Sequence, residues 1–128
     1  MATGLSAAVA NAFLDALGNA SNYTAPTAFW VKLHVGDPGS AGTSNAATET
    51  TRKQASFSAA SSGAITTDGA LTWTSVAGTE DYTHWSAWDA STAGNFLCSG
   101  TVTANSVTTG DTFVLAIGDL DMSLSTAS

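Results

Sequence analysis

The chain has 128 residues, enough for one domain with one hydrophobic core. Only 10% of its residues are charged, and ten acids against three basic residues give a net charge of −7. This negative balance disfavours binding to nucleic acid and to anionic membrane surfaces. The one cysteine, Cys98, cannot form a disulfide within the chain, so the core must stabilise the fold.

The first predicted element is an amphipathic helix. Its N-terminus can be capped by Thr3 or Ser6, and Gly18 suits the C-terminal cap. A helix of about a dozen residues is marginal alone in water, so we expect it to dock on its own domain or on a neighbouring subunit. Residues 1–27 are therefore predicted to form an anchoring arm, and residues 28–128 a β domain. The apolar positions recur every four residues and are Leu5, Val9, Phe13 and Leu17.

Beyond the arm, the sequence predicts about eight short strands, separated by turn sequences at intervals of about 8–12 residues. Strands and helices do not alternate, so a parallel sheet is not expected. The predicted fold class is mostly β, an antiparallel β-sandwich or a jelly-roll-like barrel with one N-terminal helix. Residues 36–51 lack periodicity and predict a long loop, a kind of segment that is often functional. The residues predicted to form the core include Leu33, Phe57, Phe113 and Leu115.

In the strand from Tyr82 to Trp88, strict alternation places Tyr82, His84, Ser86 and Trp88 on one face and Trp85 on the other. The histidines of the chain are His34 and His84, and each lies in a predicted strand among aromatic residues. We therefore expect packed structural histidines rather than catalytic bases.

Other side chains that could perform chemistry are sparse. Glu80 and Asp81 could form a carboxylate pair, although a solvated loop is the preferred interpretation. Calcium binding in the loop at 36–51 would have only Asp37 and Glu49 as acidic ligands. No His or Cys pair has metal-ligand spacing, and no Gly-x-Ser-x-Gly motif occurs. The sequence therefore predicts no catalytic residue, no metal site and no cofactor.

Four tryptophans are many for so small a domain. Their indole faces could stack on sugar rings, but packing in the core and against other subunits is the preferred interpretation. Together with the helix, they define the residues that we predict to contact a partner. These are Leu5, Val9, Phe13, Leu17, Trp30, Trp85 and Trp88.

Five motifs follow one another along the strand region. They are LHVGDPG at 33–39, TRKQ at 51–54, THWSAWDA at 83–90, GNFL at 94–97, and VTTGDT at 107–112 leading to GDL at 118–120. This order resembles a family of small virion proteins from tailed phages of actinobacteria, described as tail-fibre-like or minor structural proteins. The resemblance covers about residues 29–121 and implies a β-sandwich virion component without catalytic residues.

The resemblance leaves several locations open on the particle. Because the chain lacks heptads, collagen-like triplets and repeated β units, it predicts a compact knob rather than a fibre shaft. Head decoration on the major capsid protein lattice, stabilising the head, is the preferred function. The alternative is a tail-fibre or tail-tip module that binds host surface glycans. A glycan hydrolase using Glu80 and Asp81 is the least favoured hypothesis.

The expected partners follow from these hypotheses. They are the major capsid protein or other virion subunits, together with further copies of the chain. A symmetric homo-oligomer such as a trimer is expected, because closed symmetry is the norm for oligomers. A host glycan is a further candidate ligand, whereas nucleic acid and membrane are not expected. The protein is predicted to assemble in the host cytoplasm and to be exposed on the particle surface.

Overall fold

A computed structural model describes residues 3–127, which form one helix and eight short strands. The helix is α1 (Ala7–Asn19), and the strands are β1 (Trp30–His34), β2 (Lys53–Gln54), β3 (Ala64–Thr66), β4 (Leu71–Trp73), β5 (Glu80–Trp88), β6 (Phe96–Val107), β7 (Phe113–Leu115) and β8 (Asp121–Ser123). No helix in this range is long and apolar enough to cross a membrane.

Antiparallel pairing organises the strands into three groups. Four strands form a sheet in the order β2-β1-β5-β6, and two further ladders pair β3 with β8 and β4 with β7. The predicted fold class is therefore confirmed. The turn at Asp68–Gly69 does not close a hairpin between β3 and β4, because each of them pairs with a strand from the C-terminal end of the chain.

The two ladders pack over one face of the four-stranded sheet in a sandwich-like arrangement. Phe113 of β7 contacts the Tyr82 ring of β5 with centroids 4.9 Å apart, and the Sγ of Cys98 lies 3.7 Å from the Sδ of Met122. Of the residues predicted for the core, Leu33, Phe113 and Leu115 are buried. Phe57 is only half-buried, and its ring meets Phe29 edge-on at 4.9 Å.

A register shift between β5 and β6, with the extra residues on β6, accompanies a change in which residues of β5 face the core. The pairing of β5 with β6 slips between Tyr82 and His84, and such an irregularity breaks the simple alternation of faces. Tyr82 therefore packs with Phe113 in the core rather than on the face shared by His84, Ser86 and Trp88, which corrects the expectation from alternation.

The long loop after β1 covers the opposite face of the sheet. Two backbone hydrogen bonds hold the loop against the end of β1. The Val35 N–H donates to the Asn45 carbonyl at 2.9 Å, and the Ala47 N–H donates to the Leu33 carbonyl at 3.1 Å. Gly42 lies against the Phe96 ring, where an added Cβ would stand 2.5 Å from a ring carbon. The loop that the sequence singled out as functional therefore packs on the sheet and buries His34.

The helix begins as the sequence predicts but ends later. Ser6 is the N-cap, and its Oγ accepts a 3.2 Å hydrogen bond from the Val9 N–H. The helix continues through Gly18 to Asn19, and Ala20 takes the left-handed C-cap conformation with φ 55°. The prediction of Gly18 as the capping residue is therefore wrong by two positions.

Candidate partner-binding surface

The exposed side of α1 carries large apolar side chains that the domain itself leaves uncovered. None of the 13 helical residues is buried, and the exposed fractions of Leu14 and Leu17 are 65% and 86%. Val9 packs against the core, and the Phe13 ring meets Tyr23 edge-on at 4.8 Å. The predicted stripe is thus divided, because its N-terminal half faces the domain and Leu17 faces solvent.

Leu14 was not among the residues predicted to contact a partner. The predicted stripe has a strict spacing of four residues, which passes over Leu14. A spacing of three joins Leu14 to Leu17, and residues three apart are also neighbours on a helix surface. The sequence therefore contained the signal for this exposed pair.

A groove lies next to the start of the helix. Its volume is about 660 Å³, and its floor includes Cys98 and Gly100 of β6. One wall is formed by Leu5 and Phe13, and the other by residues of the β3–β8 ladder that include Met122 and by Leu124. The predicted contact residue Leu5 is 40% exposed here, so apolar surface continues from the helix into the groove.

The tryptophans lie mostly inside the domain. Trp85 and Trp88 are 3% and 8% exposed, and Trp73 is 1% exposed. Trp30 is half-buried. Because the side chains of Trp85 and Trp88 are almost completely covered, they offer little surface to a sugar or to another subunit. A partner contact through Trp30 stays a prediction.

Contacts of Arg52 and Asp89 hold three of the sequence motifs together in the fold. The Arg52 guanidinium lies 4.5 Å from the centroid of the Trp88 ring and donates hydrogen bonds to the Ala90 and Ala93 carbonyls at 2.8 and 2.7 Å. The same turn is fixed by Asp89, whose Oδ1 accepts from the Asn95 N–H at 2.8 Å. These contacts connect the TRKQ, THWSAWDA and GNFL motifs to one another and assign them a structural role.

A buried hydrogen-bond chain passes through His34. Its Nδ1 lies 2.8 Å from the Ser44 carbonyl, and its Nε2 lies 2.7 Å from the Ser86 Oγ, which also accepts from the Trp88 Nε1–H at 2.8 Å. Burial lowers the pKa of His34 from its ordinary value of 6.5. Both His34 and Ser86 are 0% exposed, so a substrate has no access to this serine–histidine pair.

Two of the carboxylates considered as catalytic or metal-binding groups, Glu80 and Glu49, accept hydrogen bonds from backbone amides. Glu80 accepts from the Thr48 N–H at 2.9 Å, and Glu49 accepts from the N–H groups of Thr51 at 3.1 Å and Ala77 at 3.2 Å. These bonds hold the loop after residue 47 against the start of β5. Within residues 3–127, no group of three or more His, Cys, Asp or Glu side chains could hold a metal ion.

Comparison with known families agrees with this structural reading. No curated protein matches the chain. A family model described as Podophage GP4 fiber I protein gp80 matches residues 4–123. The match begins before α1 and ends at the last residue of β8, so it includes the helix, which lies outside the resemblance seen at about residues 29–121. The chain therefore belongs to this family of phage fibre proteins, and it is a virion structural protein of mostly β fold.

Proposed function

We propose that the protein is a non-catalytic module of the phage fibre, held on the virion through the exposed face of α1. The observation that supports this proposal is the uncovered apolar surface of the helix, with Leu14 and Leu17 at its centre. Asp15 is the one charged residue among the 13 helical residues, and its carboxylate accepts a hydrogen bond from the Asn19 amide.

Such a composition is unusual for a helix in contact with water. A helix that is apolar around most of its circumference normally lies inside a protein or an assembly. Here the domain covers only the side that carries Val9 and Phe13. The remaining side is therefore the surface through which another virion subunit holds the module.

The start of the helix is fixed to the domain, which makes it a suitable anchor. The Ser6 N–H donates to the Leu97 carbonyl and the Ser99 N–H donates to the Gly4 carbonyl, each at 2.8 Å. These two bonds join residues 4–6 to the edge of β6. A load applied to α1 is consequently transmitted to the sheet through hydrogen bonds and not through a free linker.

Head decoration is the second candidate, and one observation favours it. The described chain is a single compact sandwich-like unit without a shaft. A small unit of this kind could sit between capsomers as readily as on a fibre, with the major capsid protein as its partner.

Immunogold labelling of intact particles separates the two candidates. Antibody raised against the purified protein should label the fibres at the tail and leave the head surface free. Label distributed over the head would reject the fibre location and support decoration. Particles lacking the protein provide the control, because any gold that they retain measures non-specific binding.

A further inference from the structure

The outer edge of β6 is partly open. β6 is the last strand of the four-stranded sheet, and residues 4–6 pair only with its first part through the Leu97 carbonyl and the Ser99 N–H. Alternate residues of a strand direct their backbone groups to the same side, so Thr101 points in the same direction as Leu97 and Ser99. Within residues 3–127, the outward N–H and C=O of Thr101 have no partner.

The composition of β6 does nothing to protect this edge. Its twelve residues, Phe96–Val107, include no charged residue and no proline, which are the residues that usually discourage an exposed edge from pairing. Residues 103–106 are all exposed. The register shift opposite Thr83 divides the edge, so a pairing strand would meet two short stretches.

Two clefts adjoin the open edge. The groove of about 660 Å³ and a second cleft of about 470 Å³ share Thr101 and Asp119 in their walls and so form one continuous side of the domain. Exposed apolar side chains line this side, namely Leu5 at 40%, Val114 at 46% and Leu124 at 61%. Unpaired backbone next to apolar recesses is the combination that a bound strand uses, with hydrogen bonds for affinity and recesses for its side chains.

We propose that a second copy of this chain docks along this side, with β6 antiparallel to β6 of its neighbour. This interface would extend the four-stranded sheet across a two-fold axis. It is independent of where on the particle the protein resides, and it uses a surface different from the exposed side of α1.

The edge strand itself brings no charged side chains together in a pair of copies, although Asp119 and Asp121 line the clefts beside it. Each copy has a net charge of −7, so two copies repel one another wherever their acids meet. β6 itself is uncharged, and the acid on the neighbouring strand nearest its open end is Asp81, opposite Ser106. Across the two-fold axis, the strands that carry the two Asp81 residues would be about 14 Å apart, which is three strand spacings. That separation exceeds the screening length of about 8 Å at physiological ionic strength.

The symmetry also favours this arrangement. An antiparallel pair of identical edges is self-complementary, since each copy offers the same backbone groups and the same small, uncharged side chains. Two-fold contacts of this kind are the commonest in homo-oligomers. Because both edges are used up in the pair, the contact closes and does not propagate into a filament.

Sedimentation velocity of the purified full-length chain over a range of concentrations tests the proposal. The wild type should form a dimer. Thr101→Pro should weaken dimerisation at least tenfold, because it removes an N–H that faces the neighbour, and proline is tolerated on an edge strand where the N–H faces solvent. Thr103→Lys should also weaken it by placing charge at the edge. Thr50→Lys is the matched control, since Thr50 is an exposed threonine just before β2, at the opposite edge of the sheet, and should leave the dimer intact.

Cysteine cross-linking supplies a second measurement that tolerates small changes in stability. Cys98 is 4% exposed and burial raises the pKa of its thiol to about 12, so it should remain unreactive. Thr103→Cys or Asn105→Cys should form a disulfide-linked dimer on mild oxidation, whereas Thr50→Cys should not. Circular dichroism checks that each variant is folded. If Thr101→Pro does not fold, the dimerisation of Thr103→Lys tests whether the edge of β6 forms the contact.

Three results would overturn the proposal. The first is a wild-type chain that stays monomeric at all concentrations. The second is that folded Thr101→Pro and Thr103→Lys associate as strongly as the wild type, while Thr50→Cys cross-links as efficiently as Thr103→Cys. The third is a dimer that dissociates on Leu14→Gln/Leu17→Gln but not on substitution of the edge, which would assign self-association to α1.

Discussion

His34 and Ser86 are joined by a 2.7 Å hydrogen bond between Nε2 and Oγ, although both side chains are completely buried. The Ser44 carbonyl can accept only from a protonated Nδ1, so Nε2 is the acceptor of the Ser86 hydroxyl proton. A serine hydrogen-bonded to a histidine is the arrangement of an activated nucleophile. Here the loop after β1 covers the pair. The hydrogen bond between the two side chains satisfies polar groups that are buried beneath that loop.

Acidification is expected to destabilise the protein through His34. Its folded-state pKa is lowered by burial, with Lys32 and His84 nearby acting in the same direction. The unfolded chain therefore binds a proton as the pH falls through about 6.5, whereas the folded chain resists it until a lower pH. Stability should decline over that interval by up to about 1.4 kcal/mol for each pH unit. Urea unfolding between pH 7.5 and 5.5 measures this loss.

The histidine variants identify the source of the pH effect. His34→Gln should flatten the dependence above pH 5.5, while His84→Gln should retain it, because His84 is only half-buried and its Nδ1 lies 2.8 Å from the hydroxyl of the adjacent Thr83. A wild-type stability that is equal at pH 7.5 and 5.5 would contradict the assignment.

Ser86→Ala should destabilise the fold by about 1–3 kcal/mol. The substitution removes the acceptor of the Trp88 Nε1–H and the donor to His34, and it leaves two polar atoms buried without partners. Ser99→Ala is a useful control, since Ser99 is also a buried serine of the same sheet but its Oγ accepts one bond of 3.3 Å from the Gly4 N–H. Equal unfolding midpoints for wild type and Ser86→Ala would show that the buried hydrogen-bond chain contributes nothing to stability.

Tyr82→Phe is expected to preserve or raise stability. The ring packs against Phe113, but the hydroxyl is the one buried side-chain polar atom in the described residues that lacks a hydrogen-bond partner. Burial also raises the pKa of this hydroxyl to about 12. Removing an unpaired buried hydroxyl eliminates a desolvation cost of about 1–3 kcal/mol. A loss of more than about 1 kcal/mol in thermal or urea unfolding would reveal a partner for the hydroxyl.

The end of α1 can be tested with two substitutions. Gly18 lies within the helix and an added Cβ would meet nothing within 4 Å, so Gly18→Ala should stabilise α1 by about 0.5–1 kcal/mol. Ala20→Gly should also stabilise it, because Ala20 holds a left-handed φ that glycine adopts more easily. Hydrogen exchange of the helical amides reports both effects. Faster exchange in Gly18→Ala would place the C-cap at Gly18.

Most of the strand region could be predicted from the sequence, because turn residues and period-two alternation are local signals. β1 follows the pattern closely, with Val31 and Leu33 at 0% exposure. The register shift at Tyr82 is not encoded in that alternation, since it arises from pairing with β6. Likewise, the pairing of β3 with β8 and of β4 with β7 joins residues at least 40 positions apart, and no local pattern specifies it.

The candidate surface could be predicted only in part. The periodicity identified an apolar helix, but it could not show that Val9 and Phe13 would be used by the domain and that Leu17 would remain free. Nor could alternation show that both Trp85 and Trp88 would be covered. Trp88 lies on the outer face of the sheet, and it is buried there by Arg52, from a distant position in the sequence, and by Phe96 of the paired strand β6.

The central claim is that the exposed face of α1 holds this phage structural protein on the virion. It is tested most directly by adding purified protein to particles that lack it and measuring how much sediments with them. Leu14→Gln/Leu17→Gln should fold as the wild type does but lose at least tenfold in binding, whereas Ile117→Gln, at a residue that is 66% exposed outside the helix, should bind normally. Undiminished binding of the folded double variant would contradict the claim.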